Sequence, residues 1–129
     1  MSNVLLIKTT LESLAELFKK VAKLEITFTK NTVEMVKRRR KRKNIYHDKI
    51  IYAFEYSFDE VKIENNELIA NGRGIVVYDI EEQYEVKDIS LFYLDEDKEY
   101  VKVYNEIIND YYPNGGSFTF EGKLTVSVN

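Results

Sequence analysis

The clearest pattern in the chain is the alternation that begins at Ile50. Ile50, Tyr52, Phe54, Tyr56 and Phe58 share one side of an extended strand, and Ala53, Glu55, Ser57 and Asp59 take the other. Successive side chains of a strand point to opposite faces, so this stretch predicts a sheet with one buried face. After it, a meander of short strands keeps an apolar face. Asp59-Glu60 as turn residues sets Phe58 opposite Val61, and Asn65-Asn66 sets Ile63 opposite Leu68. Asn71-Gly72-Arg73-Gly74 reads as a loop before a strand over Ile75–Ile80, and a turn at Glu81–Gln83 sets Tyr78 opposite Val86. Ile89–Leu94 reads as a further strand.

Upstream, Ser2–Lys8 fits a short first strand. Thr9 with Glu12 has capping-box spacing, and Leu11, Leu14, Ala15, Phe18, Val21 and Ala22 recur as one face of a helix over Thr10–Lys23. Leu24–Thr29 and Thr32–Arg38 fit a hairpin turning at Lys30-Asn31, with Phe28 facing Val33. A helix from Asn31 is the competing reading, disfavoured by the β-branched Thr32, Val33 and Val36.

Downstream, Asp95-Glu96-Asp97 predicts the start of a second helix. Tyr100, Val103, Tyr104, Ile107, Ile108, Tyr111 and Tyr112 follow at helical spacing, and Pro113-Asn114-Gly115-Gly116 ends it. A hairpin from Ser90 to Tyr104 is the alternative. Phe118, Phe120, Leu124, Val126 and Val128 then occupy even positions, as one strand bent at Gly122 or as a hairpin turning at Glu121–Lys123. The sum is an α+β fold: a single domain, residues 1–129, with one or two helices on a curved, mainly antiparallel meander sheet. No motif ties the chain to a known family.

Composition sharpens this picture at one place. At 129 residues, with 44% hydrophobic and 32% charged positions, the chain is long enough for one core and too apolar for disorder. Ten Tyr and seven Phe suit strands. With no Cys, disulfides, thiolate metal sites and a Cys nucleophile are excluded. No apolar run approaches the length of a membrane span, so a cytoplasmic protein without membrane contact is expected. Net charge is −3, but setting aside the seven bases of Lys37–Lys43 leaves twelve bases against 22 acids, or −10. Charge is thus segregated: a basic arm on an acidic body.

That arm, Lys37, Arg38, Arg39, Arg40, Lys41, Arg42 and Lys43, is the strongest functional signal. As a strand it would put charge on both faces of any sheet, so it is expected to overhang the body as a projecting hairpin. Arg and Lys neutralise phosphates and release counterions, and Arg adds planar bidentate contacts. Tyr46 adds a stacking surface. The expected function is a non-enzymatic accessory protein gripping the nucleic-acid backbone independently of sequence, with no cofactor. The alternative is an acidic protein-interaction or inhibitor module, with the arm joining protomers into a homo-oligomer.

Other candidates carry less. His47 is the only histidine, and beside Asp48 it lacks the partners a zinc site recruits. Asp95-Glu96-Asp97 with Glu99 lacks the glycine of a calcium loop, since Tyr100 stands there. A small Mg²⁺ nuclease would use Asp79 with Glu85 and Lys87 across a hairpin, or Asp48 with Glu60 and Lys62. Glu-x-Lys also occurs at Glu96–Lys98 and Glu121–Lys123, as this composition makes common. Gly72-Arg73-Gly74 lacks the frame of a phosphate loop and reads as a turn.

Overall fold

A computed structural model describes the backbone of residues 3–36 and 41–127 and the side chains of residues 10–30 and 49–127. Among the described residues there are one helix, α1 (Asn3–Phe18), and nine strands: β1 (Val21–Val36), β2 (Lys41–Glu55), β3 (Phe58–Glu64), β4 (Glu67–Gly72), β5 (Val76–Ile80), β6 (Tyr84–Leu94), β7 (Tyr100–Tyr112), β8 (Gly116–Phe120) and β9 (Lys123–Ser127). Every strand pairing is antiparallel. The expected α+β class holds, with one helix rather than two.

The helix starts earlier than predicted and replaces the strand expected over Ser2–Lys8, of which Ser2 lies outside the described residues. The reason is legible afterwards: Val4 and Ile7 extend the 3–4 spacing of Leu11, Leu14, Ala15 and Phe18 back by two turns. It also stops earlier. Lys20 N–H donates to the Leu17 carbonyl at 3.0 Å, tightening the last turn, and Val21 opens β1.

Four strands form one sheet in the order β2-β1-β6-β7. No turn forms at Lys30-Asn31: β1 runs through it with a bulge between Thr29 and Asn31, and the predicted hairpin gives way to a longer one pairing β1 with β2. Leu24, Ile26, Phe28, Val86, Ile89 and Leu91 make its buried face. Val86 and Ile89 are three apart, which strict alternation forbids. Lys87 is the extra residue of a bulge, since Thr27 pairs with Asp88 while Phe28 pairs with Val86.

The same device explains the predicted second helix, which is instead β7. An extra residue at Val103 resets the two-residue alternation, and beyond it Tyr104, Ile108 and Tyr112 take every second position of one face with Glu106 and Asp110 between them. Inward apolar residues four apart, with the exposed Ile107 and Tyr111 beside them, imitate a helix. Only Val103, Tyr104, Ile108 and Tyr112 pack against the core, whereas Ile107 is 64% exposed. Asp95 tightens the turn into β7: its backbone N–H donates to the Glu99 carbonyl and its carboxylate accepts from the Glu99 N–H, both at 2.9 Å. The acids of Asp95–Asp97 therefore belong to a hairpin turn, not a helix start.

The remaining strands form two ladders, β3-β4-β9 and β5-β8. The Asn65-Asn66 turn is as predicted, with Ile63 opposite Leu68 and both asparagines at positive φ (51° and 63°), the mirror-image turn that suits strand twist. The turn predicted at Asp59-Glu60 is absent, because β3 runs on through both residues with a bulge at Asp59. Glu81–Gln83 does turn, with Gln83 at φ 66°, but the strands either side do not pair: β5 joins β8 and β6 joins β1 and β7. The chain bends at Gly122, φ 79°, so β8 and β9 serve different ladders. Val128 lies outside the described residues.

Helix α1 packs over β3, β4 and β7. Leu11, Ala15 and Phe18 supply the buried stripe. The Phe18 ring stacks on Phe58 at 5.6 Å between centroids and meets Tyr104 edge-on at 6.0 Å, so it ties two sheets together. Among the described residues no helix is long and apolar enough to cross a membrane.

Candidate functional site

The candidate arm is set by two ladders of unequal length. β1 pairs with β6 only from Val21 to Lys30, where Lys30 meets Tyr84. β1 and β2 continue pairing for six further positions, from Asn31↔Tyr46 to Val36↔Lys41. Six residues at about 3.3 Å each correspond to roughly 20 Å of ladder. Of the predicted contacts, Lys41, Arg42, Lys43 and Tyr46 belong to β2, with Arg42 opposite Met35 and Lys43 opposite Glu34 in register. Lys37, Arg38, Arg39 and Arg40 lie outside the described residues. His47 and Asp48 also belong to β2.

Where β6 begins, an aromatic cavity sits against β1 and β2. It has a volume of about 50 Å³ and is lined by Phe28, Ile50, Tyr52, Tyr78, Tyr84, Asp79, Ile80 and Glu81. The alternation of β2 brings Ile50 and Tyr52 inward, and β5 lays Tyr78 across them. The Tyr52 and Tyr78 centroids are 4.7 Å apart, and Phe28 lies 5.1 Å from Tyr78. A hydrogen bond with Tyr52, reinforced by burial and the nearby Glu81 carboxylate, pushes the Tyr78 phenol up to about 12. Asp79 accepts a hydrogen bond from Ser117 at 3.2 Å. Among the described residues neither Asp79 nor Glu81 has an ion-pair partner.

The hairpin that was to set Asp79 beside Glu85-Val86-Lys87 does not form, because Asp79 pairs with Ser117 on β8 and Glu85 with Thr29 and Tyr111. Lys62, of the other triplet, bridges its own strand neighbours Glu60 (3.6 Å) and Glu64 (3.4 Å). Among the described residues no group of three or more His, Asp or Glu side chains is placed to hold a metal ion.

A second feature missed by sequence reasoning lies where the two smaller ladders meet. Tyr56 leaves β2, donates its N–H to the Ala22 carbonyl at 3.2 Å, and buries its ring between Phe58 and Phe120, each edge-on at 5.5 Å. Among the described residues its hydroxyl is buried without a hydrogen-bond partner, and it is seated against the backbone of Gly72 and Gly122. Burial, with the Asp59 carboxylate as a lesser cause, raises its pKa above the usual phenol value. Gly72 and Gly122 are 50 residues apart in sequence, so no local pattern could have joined them to Tyr56. The aromatic cavity was hidden for the same reason, since it depends on β5 pairing with β8. Set against family models, curated proteins and solved structures, the chain finds no match in any of the three.

Proposed function

We propose that the chain binds nucleic acid through the arm that carries Lys37–Lys43, gripping the phosphate backbone without reading sequence. The observation that supports this is the unequal ladder. Beyond Lys30↔Tyr84 the β1–β2 pair has no β6 beside it, and Lys41, Arg42 and Lys43 of the basic run lie at its far end. A two-stranded ribbon fits a nucleic-acid groove, and a ribbon tipped with bases can bring guanidinium groups to phosphates on both walls. In this reading the basic hairpin projects from a curved sheet, its bulges supplying the bend. The body, at −10 without the arm, repels polyanions, so contact stays local to the ribbon. Arg38, Arg39, Arg40 and Arg42 make the main contacts, Lys37, Lys41 and Lys43 supply field, and Tyr46 offers a ring to an unstacked base. No catalysis or cofactor enters this role, and a cytoplasmic location goes with it.

Titration of a fluorescent oligonucleotide at several salt concentrations tests it. Binding of about five phosphates gives a slope of log K against log salt near −4. Absent or salt-independent binding would overturn the reading. It would favour the alternative of an acidic interaction module, for which Ile75 (64% exposed), Val77 (59%) and Ile107 (64%) offer apolar contact surface.

A further inference from the structure

We propose that the cavity lined by Phe28, Tyr52, Tyr78 and Tyr84, with Asp79 and Glu81 beside it, binds the head group of a small organic cation, a quaternary ammonium fitting best. Three properties select this ligand. First, four aromatic rings converge on one small space, and a ring face attracts a cation through its quadrupole. Second, among the described residues both charged groups lining the cavity are carboxylates, and neither is engaged by a base. An anion or a phosphate-bearing group would be repelled there, which separates this site from the arm. Third, size decides between cations and larger ligands. At about 50 Å³ the cavity has room for only a few waters at about 10–15 Å³ each. That suits a small head group such as a methylated ammonium and is too little for a whole nucleotide.

The quaternary head group is favoured over a bare ammonium because it is weakly hydrated and gives up little on entering an apolar cage, whereas a primary ammonium loses strong water contacts. The tyrosine pair is suited to the task. Tyr78 holds its proton throughout the neutral range, so the rings act as uncharged faces and the two carboxylates supply the charge. Tyr52 is 41% exposed, which leaves the cavity open to solvent on the β2 side. This inference is independent of the arm and concerns the acidic body.

Titration of the full chain with tetramethylammonium chloride, at ionic strength held constant with sodium chloride, tests it by the NMR shifts of the tyrosine rings. Tert-butanol, the neutral molecule of nearly the same shape, is the control. Saturable shifts at Tyr52, Tyr78 and Tyr84 with the cation and none with the alcohol are expected. The Asp79→Asn/Glu81→Gln double variant, both positions being exposed, is expected to keep the wild-type urea midpoint and to bind about threefold to tenfold more weakly. Choline and a capped trimethyllysine peptide, compared side by side, separate a free metabolite from a protein-borne cation. Binding of either supports the pocket, and the tighter names the source. Failure of the cation to saturate, an equal response to tert-butanol, or unchanged affinity in the double variant would overturn the proposal.

Discussion

The junction of Tyr56, Gly72 and Gly122 yields a prediction in which the sign of a mutation is the test. A glycine replaced by alanine at a compatible backbone usually gains about 0.4–1 kcal/mol, because the unfolded chain loses freedom. Gly72 has no positive φ, so backbone geometry alone would permit alanine. Space does not. A Cβ there would fall on the Tyr56 hydroxyl and lie 3.2 Å from the Gly122 carbonyl oxygen. Overpacking of a close-fitted site costs about 1–3 kcal/mol, and the tyrosine cannot withdraw without opening contacts to Phe58 and Phe120. Gly72→Ala is therefore expected to lose about 2–3 kcal/mol. With an unfolding entropy of about 2.1 cal/mol/K per residue over 129 residues, that is roughly 10 °C in Tm.

The companion change is Tyr56→Phe, which removes a buried hydroxyl that has no partner among the described residues. An unsatisfied buried group costs about 1–3 kcal/mol, set against about 1 kcal/mol for the small void left behind. The variant should be as stable as wild type or up to about 2 kcal/mol more so. It should also blunt the cost of Gly72→Ala by at least about 1 kcal/mol in a double-mutant cycle. Urea unfolding followed by far-UV circular dichroism, with unchanged m-values, gives all four free energies. Two results would refute the reasoning: Gly72→Ala within about 0.5 kcal/mol of wild type, or Tyr56→Phe losing more than about 1 kcal/mol, which would mean the hydroxyl is bonded after all.

Other consequences are as direct. Phe18→Ala removes the ring that joins Phe58 and Tyr104 and should cost about 3–5 kcal/mol by urea unfolding. Asn66→Ile places a β-branched residue at φ 63° and should cost about 1–2 kcal/mol, while Asn66→Gly should be tolerated, as thermal melts of the two would show. The phenols of Tyr56, Tyr78, Tyr104 and Tyr112 are all raised in the folded protein, the first, third and fourth mainly by burial and Tyr78 mainly by its bond to Tyr52. An acid whose folded pKa lies above its unfolded value stabilises the fold below the unfolded value. That contribution is lost as pH rises above about 10, for Tyr78 up to about 12. Melts between these limits should fall in Tm, and Tyr78→Phe should fall less steeply.

Local signals in the sequence were read correctly where a short stretch fixes its own geometry. Asn65-Asn66 names its turn because only residues tolerant of positive φ suit it, and Ile50–Phe58 names its inward face because alternation there sets Ile50 and Phe54 against the core, although Tyr52 between them is exposed. Leu11 to Phe18 names a helix because its stripe is uninterrupted. What failed failed through bulges and distant pairing. Lys87, Val103 and Asp59 each add one residue to a strand, and each breaks the period on which face assignment depends. In β7 one such break, followed by inward residues four apart at Tyr104, Ile108 and Tyr112, imitates a helix outright. The partner of β5 is β8, some 40 residues on, so nothing near Tyr78 could announce the cavity it completes. Of the basic run, sequence alone located the charge, and the ladders add only that β1 pairs further with β2 than with β6.

The grip of the arm on phosphate is tested most directly by comparing the salt slope of oligonucleotide binding in the wild-type chain with that of Arg38→Gln/Arg39→Gln/Arg40→Gln. Each lost phosphate contact removes about 0.7–0.9 from the slope, so the triple variant should bind more weakly at low salt with a slope shallower by about 2–3. Identical slopes for the two proteins would contradict the account and leave the seven bases without the role assigned to them.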